Sequence, residues 1–233
     1  MLQGVLMTGN ALIIFTKYPE PGTCKTRIAR ALGNDFAVEL CMNMMLDTLA
    51  VADRSDADTV ICWTSEKRKI SDGIFAGRNY RFIEQQGGDI GERMYMAFSG
   101  VFSLGYSRAV LVGSDIPDLT PEIILNAFAA LDLHDCAFGP SSDGGYYLSA
   151  FREQAIDRVY FSDINWSTPE VFRKTRELIL EHGIRMARLE ILNDMDTPGD
   201  LINFTERHGS SCGSNTAGFL HEWRQRLHEA SGH

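Results

Sequence analysis

The sequence predicts an α/β fold built on a mainly parallel sheet buried on both faces. Two patterns predict it. Short apolar runs of strand length recur at residues 11–16, 58–63, 80–83, 109–113 and 136–139. Between them lie longer segments of helical period, clearest over residues 36–51, where Ala37, Leu40, Cys41, Met44, Thr48 and Val51 repeat at the three-to-four spacing of one buried helix face. Strands that alternate with helices make βαβ units, whose crossovers cover both faces of a parallel sheet. At 233 residues with 44% apolar and 23% charged side chains, the chain can bury a full core without staples.

The elements agree with their punctuation. All seven prolines are expected in loops or at helix starts. Thr120-Pro121-Glu122, Thr168-Pro169-Glu170 and Thr197-Pro198 each set a capping hydroxyl before a proline at the first helical position. The Met-rich stretch of residues 36–51 reads as core filling by flexible thioethers. Residues 209–218 are small and polar, which suits a connector, and Phe219, Trp223 and Leu227 then mark one face of a terminal helix. The expected organisation is one domain over residues 10–208, followed by a flexible connector and C-terminal helix over 209–233.

Composition narrows the function classes. The net charge of −9 argues against a nucleic-acid partner, because long-range repulsion opposes the phosphate neutralisation that drives such binding. Phosphate chemistry then requires a local basic cluster. The five cysteines are widely spaced without a CxxC pair, so reduced thiols are expected rather than a disulfide framework or a zinc cage. The first cation is Lys17, and the apolar run of residues 11–15 is too short to span a bilayer. A cytoplasmic protein is the expectation, and a homodimer is compatible with it.

In parallel α/β sheets ligands bind at the carboxyl ends of the strands, so the loop after each strand is where chemistry is sought. The first loop runs from Lys17 to Arg27 and carries three cations in eleven residues, with Pro19, Pro21 and Gly22 stiffening it. Lys25 and Arg27, near a helix amino end, can hold a diphosphate; a solvated basic turn is the plainer reading. The spacing is neither a Walker A loop nor GxGxxG. After the third strand, Gln86, Gly87, Gly88 and Arg93 offer a base or ribose reader, close backbone approach and a phosphate contact, with Asp89 alternatively a simple helix cap.

The fourth strand ends in Gly113-Ser114-Asp115-Ile116-Pro117-Asp118. Carboxylates just past a buried strand suit a hard cation, Mg²⁺ or Mn²⁺, carrying a nucleotide diphosphate, and Asp115 is the stronger candidate. Residues 139–147 set Asp143 beside Gly144, Gly145, Tyr146 and Tyr147. That pattern suits a floor for a hydroxylated acceptor, although an Asp-Gly hairpin turn explains part of it. Asp194-Met195-Asp196-Thr197-Pro198 brings two more carboxylates and is only a distant match to the DxDxT phosphatase signature.

Six ordered motifs resemble one family. Lys17-x-Pro19-x-Pro21-Gly22-x-x-Lys25-Thr26-Arg27, Gly87-Gly88-Asp89-x-Gly91-x-Arg93-Met94, Gly113-Ser114-Asp115-x-Pro117-x-Leu119, Gly139-Pro140-x-x-Asp143-Gly144-Gly145-Tyr146-Tyr147, Trp166-Ser167-Thr168 and Asp194-x-Asp196-Thr197-Pro198 follow the order found in DUF2064 proteins. These are bacterial glycosyltransferase-like members of the nucleotide-diphospho-sugar transferase superfamily, often associated with radical-SAM proteins. The resemblance spans about residues 10 to 205. It implies a GT-A-like, three-layer α/β/α fold on a mainly parallel mixed sheet, related to 2-phospho-lactate and molybdenum-cofactor guanylyltransferases.

By that resemblance Lys17, Lys25 and Arg27 contact nucleotide phosphates, Asp115 binds the divalent metal, and Asp196, or alternatively Asp194, adds a second acidic ligand. Pro21, Gly22, Gln86, Gly87, Gly88 and Arg93 complete the expected nucleotide site. Asp143, Gly144, Gly145, Tyr146 and Trp166 are expected at the acceptor, with Asp143 positioning it or acting as general base. The expected reaction is metal-dependent glycosyl transfer from a nucleoside-diphosphate sugar to a small-molecule acceptor. The alternatives are nucleotidyl transfer from a nucleoside triphosphate and non-catalytic nucleotide-sugar binding.

Overall fold

The computed structural model describes residues 9–64, 73–208 and 214–231, without the side chains of 225–231. The chain divides into two compact units. One comprises the residues up to Tyr18, Val51–Gly113 and Asp118–Asn193; the other comprises Pro19–Ala50, Ser114–Pro117 and the residues from Asp194 on.

The first unit holds a seven-stranded sheet in the order β3-β2-β1-β4-β6-β5-β7. Its strands are β1 (Asn10–Lys17), β2 (Asp58–Thr64), β3 (Arg81–Glu84), β4 (Arg108–Gly113), β5 (Cys136–Pro140), β6 (Tyr146–Arg152) and β7 (Met186–Arg188). β1 pairs parallel with β2 and β4, with Ile13 opposite Val60 and Leu111. The continuous apolar run Ala11–Ile14 is fully buried because parallel neighbours flank it and side chains point to both faces. The helices of this unit are α3 (Ile90–Ser103), α4 (Pro121–Leu133) and α5 (Val171–Glu181). Along α3, Met94, Ala97, Phe98, Val101 and Phe102 recur every three to four residues and pack on the core, with Phe98 edge-on to Phe151 at 5.3 Å.

Five strands lie within a residue or two of their sequence positions. β6 and β7 are additions, and β6 supplies the antiparallel element, pairing with both β4 and β5. β5 therefore runs in the direction of β4, so the β5–β6 hairpin lies on the same sheet edge as the carboxyl ends of β1, β2, β3 and β4. Thr120 caps α4 as expected, its hydroxyl accepting from Ile123 N. Thr168 does not cap α5: the helix starts at Val171, and the Thr168 hydroxyl donates to the Asn165 carbonyl at 2.7 Å.

At the far edge, Asp135 receives the Arg185 guanidinium at 3.0 and 2.9 Å and the Arg185 amide at 3.0 Å, joining the starts of β5 and β7. These contacts hold its carboxyl well below the usual range, at about 2. A depressed carboxylate pKa gives stability that is complete above the unfolded-state value and is lost as pH falls toward the folded value. Asp135→Asn is expected to remove about 1 kcal/mol at pH 7, with the gap to wild type closing between about pH 4 and 2 in urea titrations. A pH-independent gap contradicts this.

The second unit is helical: α1 (Thr26–Leu32), α2 (Asn34–Ala52, ending at the unit boundary), α6 (Pro198–His208) and α7 (Asn215–Ser231). Ile28, Phe36, Leu40, Met44, Met195, Leu201, Phe204, Ala217 and Leu220 form its core. Phe36 stands between Phe219 and Trp223, with ring centroids 5.1 and 4.7 Å away, so the terminal helix packs on α2 through the face marked in the sequence; the Leu227 side chain lies outside the described residues. The helix begins at Asn215, inside the stretch read as connector. Asp47 of α2 accepts from Asn215 N, Asn215 Nδ2 and Thr216 N at 2.7, 2.8 and 2.9 Å, serving as a remote cap for α7. Asp47→Ala is expected to cost about 1–2 kcal/mol in chemical denaturation, and a loss under about 0.3 kcal/mol contradicts the capping role.

Cys24, Cys41, Cys62 and Cys136 are free thiols, and burial pushes Cys62 and Cys136 up to about 12. Cys212 lies outside the described residues. Among the described residues no helix is long and apolar enough to cross a membrane.

Candidate functional site

The second unit brings together three residues that lie far apart in the chain. The loop after β1 turns at Gly22, whose φ of +79° places it in the left-handed region, and the Thr23 amide closes the turn on the Glu20 carbonyl at 3.1 Å. Lys25 follows, itself left-handed at φ 41° and ψ 51°, immediately before α1. A non-glycine residue held there costs of order 1 kcal/mol and persists only where its surroundings over-determine it. The surroundings are two carboxylates: Lys25 Nζ donates to Asp115 Oδ2 at 3.0 Å and to Asp196 Oδ1 at 2.5 Å.

The Lys25 side chain is 7% exposed, whereas those of Asp115 and Asp196 are 44% and 49% exposed. Burial alone lowers a lysine pKa; here the charges and hydrogen bonds of Asp115 and Asp196 outweigh burial and hold the ammonium above its ordinary value. Lys25 is therefore a permanent cation facing two solvent-accessible anions.

Each carboxylate is held by its own segment. Asp115 stands in Ser114–Pro117, two residues beyond the end of β4, and its carbonyl accepts from Met195 N at 3.4 Å. Met195 is fully buried in the helical core, which anchors Asp196 from one side. On the other side Asp200 Oδ2 accepts from Asp196 N, Thr197 N and Thr197 Oγ1 at 3.0, 2.7 and 2.8 Å, while Asp200 N donates back to Thr197 Oγ1. Thr197 thus caps α6 as expected. Asp200 was not singled out in the sequence; an acid three residues beyond a capping threonine, the capping-box spacing, was the available signal. Of the two alternative carboxylates, Asp196 makes the contact with Lys25, and Asp194 is half-buried beside it.

Next to Lys25, the Cys24 thiol donates to the Glu20 carbonyl at 3.5 Å. Cys24 and burial push the neighbouring Cys41 thiol up, so neither burial nor pairing favours a thiolate there. Pro21, Gly22 and Arg27 are exposed on the same loop and on the first turn of α1.

The first unit carries the remaining candidates. Lys17 is exposed at the end of β1. Gln85 rather than Gln86 is the structural glutamine: its side-chain amide donates to the carbonyls of Thr16 and Cys62 at 3.0 and 3.1 Å, which leaves Gln86, Gly87 and Gly88 exposed beyond it. Asp89 caps α3 by accepting from Glu92 N at 2.8 Å, and Glu92 accepts in return from Gly88 N. Arg93 Nε donates to the Gly87 carbonyl at 3.0 Å, so Arg93 braces this loop.

Asp143, at the tip of the β5–β6 hairpin, is exposed, but its Oδ1 accepts from Ser141 Oγ at 2.5 Å and Gly145 N at 2.9 Å, so one oxygen shapes the turn. Gly144 has φ +92°, and a Cβ there would stand 2.1 Å from the Pro169 carbonyl oxygen. Tyr146 packs edge-on to Phe138 and Trp166, with centroids 5.0 and 6.4 Å away. Its hydroxyl is buried and faces Thr175, and burial pushes the phenol up. Trp166 lies against Gly91, where a Cβ would stand 2.3 Å from the indole. Tyr146, Trp166 and Gly91 are therefore one packed group, which explains parts of three of the sequence motifs together.

This fold, a seven-stranded and mostly parallel sheet, is that of the nucleotide-diphospho-sugar transferase-like proteins. A crystal structure from Desulfovibrio desulfuricans G20, provisionally assigned as a nucleotide-diphospho-sugar transferase, is 35% identical to the chain and superposes with a TM-score of 0.89 over 96% of this chain and 98% of the other. A Methanothermobacter nucleotidyl transferase matches at a TM-score of 0.59 and 12% identity, covering 85% of this chain and 97% of its own. The manganese complex of the Mycobacterium tuberculosis H37Rv protein Rv0371c matches at 0.51 and 12% identity, covering 85% and 99%. No curated protein matches the chain. The profile of DUF2064, described as an uncharacterized protein conserved in bacteria, matches residues 46–168, and the chain belongs to this family.

Proposed function

We propose that the protein is a divalent-metal-dependent transferase that takes a nucleoside-diphosphate sugar and passes the glycosyl group to a hydroxylated small molecule. The observation that carries this reading is the meeting of Lys25, Asp115 and Asp196: a buried, permanent cation beside two half-exposed carboxylates. The residues fit a hard divalent ion. Mg²⁺ and Mn²⁺ bind through one or two carboxylates and complete their shell with water and substrate phosphate oxygens, and Asp115 and Asp196 are two carboxylates within reach of one point. Among the described residues no group of three or more His, Cys, Asp or Glu is placed to hold a metal. The manganese complex of a fold neighbour supports the same choice.

When bound, the metal supplies positive charge to the diphosphate as it leaves. Asp115 and Asp196 hold it, and Lys25 and Arg27 donate to phosphate oxygens, each charge-assisted contact being worth about 1.5–3 kcal/mol. In the transfer, the bond between the anomeric carbon and the diphosphate oxygen breaks and the acceptor hydroxyl oxygen bonds to that carbon. The hydroxyl proton passes to Asp143, whose exposed carboxylate is assigned acceptor positioning and the base role in this reading. Lys17, Gln86, Gly87 and Gly88 are assigned to the nucleotide.

Nucleotidyl transfer is the second reading, favoured by the nucleotidyl transferase among the fold neighbours. The same cations and carboxylates then serve attack on an α-phosphate with loss of pyrophosphate. Product analysis with labelled donors separates the two: free nucleoside diphosphate is expected, and stoichiometric pyrophosphate replaces the first reading with the second.

A further inference from the structure

The Lys25 ammonium occupies the place where Asp115 and Asp196 converge, which is also the place a cation bridging them must take. From this we infer that Lys25 is an internal stand-in for the metal, and that metal and diphosphate enter by an exchange of ion pairs: the metal takes the carboxylates while the ammonium passes to the phosphate. The inference rests on the metal reading above and adds what governs loading.

Three observations carry it. The ammonium is nearly closed off from water while both carboxylates remain half-exposed, so the anions can be approached from solvent but the cation cannot leave to it without a new anionic partner. The ammonium donates to both carboxylates at once, at 3.0 and 2.5 Å, so it holds the point between them. The backbone at Lys25 is left-handed, a conformation favoured by few residues other than glycine, and its side chain makes no capping bond to α1 but reaches the two carboxylates instead.

Metal alone must displace a buried ammonium and leave it uncompensated, which is strongly unfavourable. Diphosphate alone brings further negative charge up to two carboxylates. Together they satisfy every charge, so each raises the affinity for the other by the same factor. The arrangement keeps the carboxylates partly neutralised between turnovers and discourages idle metal binding.

The test uses Mn²⁺ alone, without nucleotide, followed by electron paramagnetic resonance of the free ion on the full chain. Wild type is expected to bind Mn²⁺ only weakly, and Lys25→Met to bind it at least tenfold more tightly, because the competing charge is gone. Lys25→Gln serves as a second variant of similar reach should the methionine form not fold, with circular dichroism melts confirming structure. Asp115→Asn placed in the Lys25→Met chain must abolish the gain. Equal Mn²⁺ affinity in wild type and both Lys25 variants, with binding still lost in Asp115→Asn, overturns the exchange and leaves the metal site standing. Mn²⁺ binding indifferent to Asp115→Asn in every background overturns the metal site and the exchange with it.

Discussion

Asp115→Asn is expected to lower metal-supported turnover at least about 100-fold, about 2.7 kcal/mol of transition-state stabilisation, while the fold stays intact. The substitution keeps the shape of the side chain and removes one of the two negative charges that face Lys25. Asp115 is 44% exposed and outside the hydrophobic cores, so its neutralisation takes away little packing. The same change weakens the grip on Lys25 to a single ion pair with Asp196, so the thermal midpoint is expected to move by only a few degrees. Steady-state kinetics over a Mn²⁺ series, with a melt of each protein, check both parts. Turnover within threefold of wild type at saturating Mn²⁺ contradicts the assignment, as does a large loss accompanied by collapse of the fold.

Gly144→Ala is the substitution with the largest expected effect on stability. The residue sits at φ +92°, where an L side chain is strained, and its new Cβ would lie 2.1 Å from the Pro169 carbonyl oxygen, a backbone atom with no rotamer in which to retreat. The hydrogen bond from Phe172 N to the Gly144 carbonyl, at 2.9 Å, holds the hairpin against that segment, so relief requires separating the β5–β6 turn from the start of α5. A loss of about 3 kcal/mol is expected, or about 6–12 °C in Tm for a chain of this size. Urea unfolding followed by tryptophan fluorescence measures it, and a loss below about 1 kcal/mol contradicts the described packing.

The parts of the fold legible in the sequence were those with a strong local pattern. The run from Ala11 to Ile14 and the apolar core of β4 are continuous because both faces are covered, and no helix of that length is compatible with the flanking loops. β6 was not legible as a strand because Tyr146 and Tyr147 directly follow an Asp-Gly turn whose residues carry a functional look of their own. β7 spans three residues, too few to show alternation. Thr168 has the same local pattern as Thr120 and Thr197, yet the intervening turn delays α5 to Val171, a tertiary choice that local capping chemistry does not reveal.

The candidate site divides along the same line. Residue types in the loops after β1 and β4 pointed to phosphate and metal chemistry one loop at a time. That Lys25 pairs with both Asp115 and Asp196, across 90 and 171 residues of chain, is a product of the fold. Asp200 is legible only as a capping-box acid of α6, not as the group that fixes Asp196, and the role of Gln85 is hidden because its neighbour Gln86 has the same side chain. Part of the Asp143 carboxylate is engaged in its own turn with Ser141 and Gly145, a contact that the Asp-Gly pattern already contained.

The net charge of −9 fits this picture, since two of the acidic residues serve a buried lysine and a proposed metal rather than a solvated surface. The central claim is that these three residues handle a metal-chelated diphosphate. Thermal shifts of wild type and Asp115→Asn with UDP-, GDP-, CDP- and ADP-sugars and the nucleoside triphosphates, each with and without Mn²⁺, test it most directly, because a ligand that binds only the folded state raises the transition temperature. At least one nucleotide is expected to raise the wild-type Tm only when Mn²⁺ is present, with the shift absent in Asp115→Asn. Nucleotide shifts that are the same without Mn²⁺ and in Asp115→Asn, or no shift with any nucleotide, contradict it.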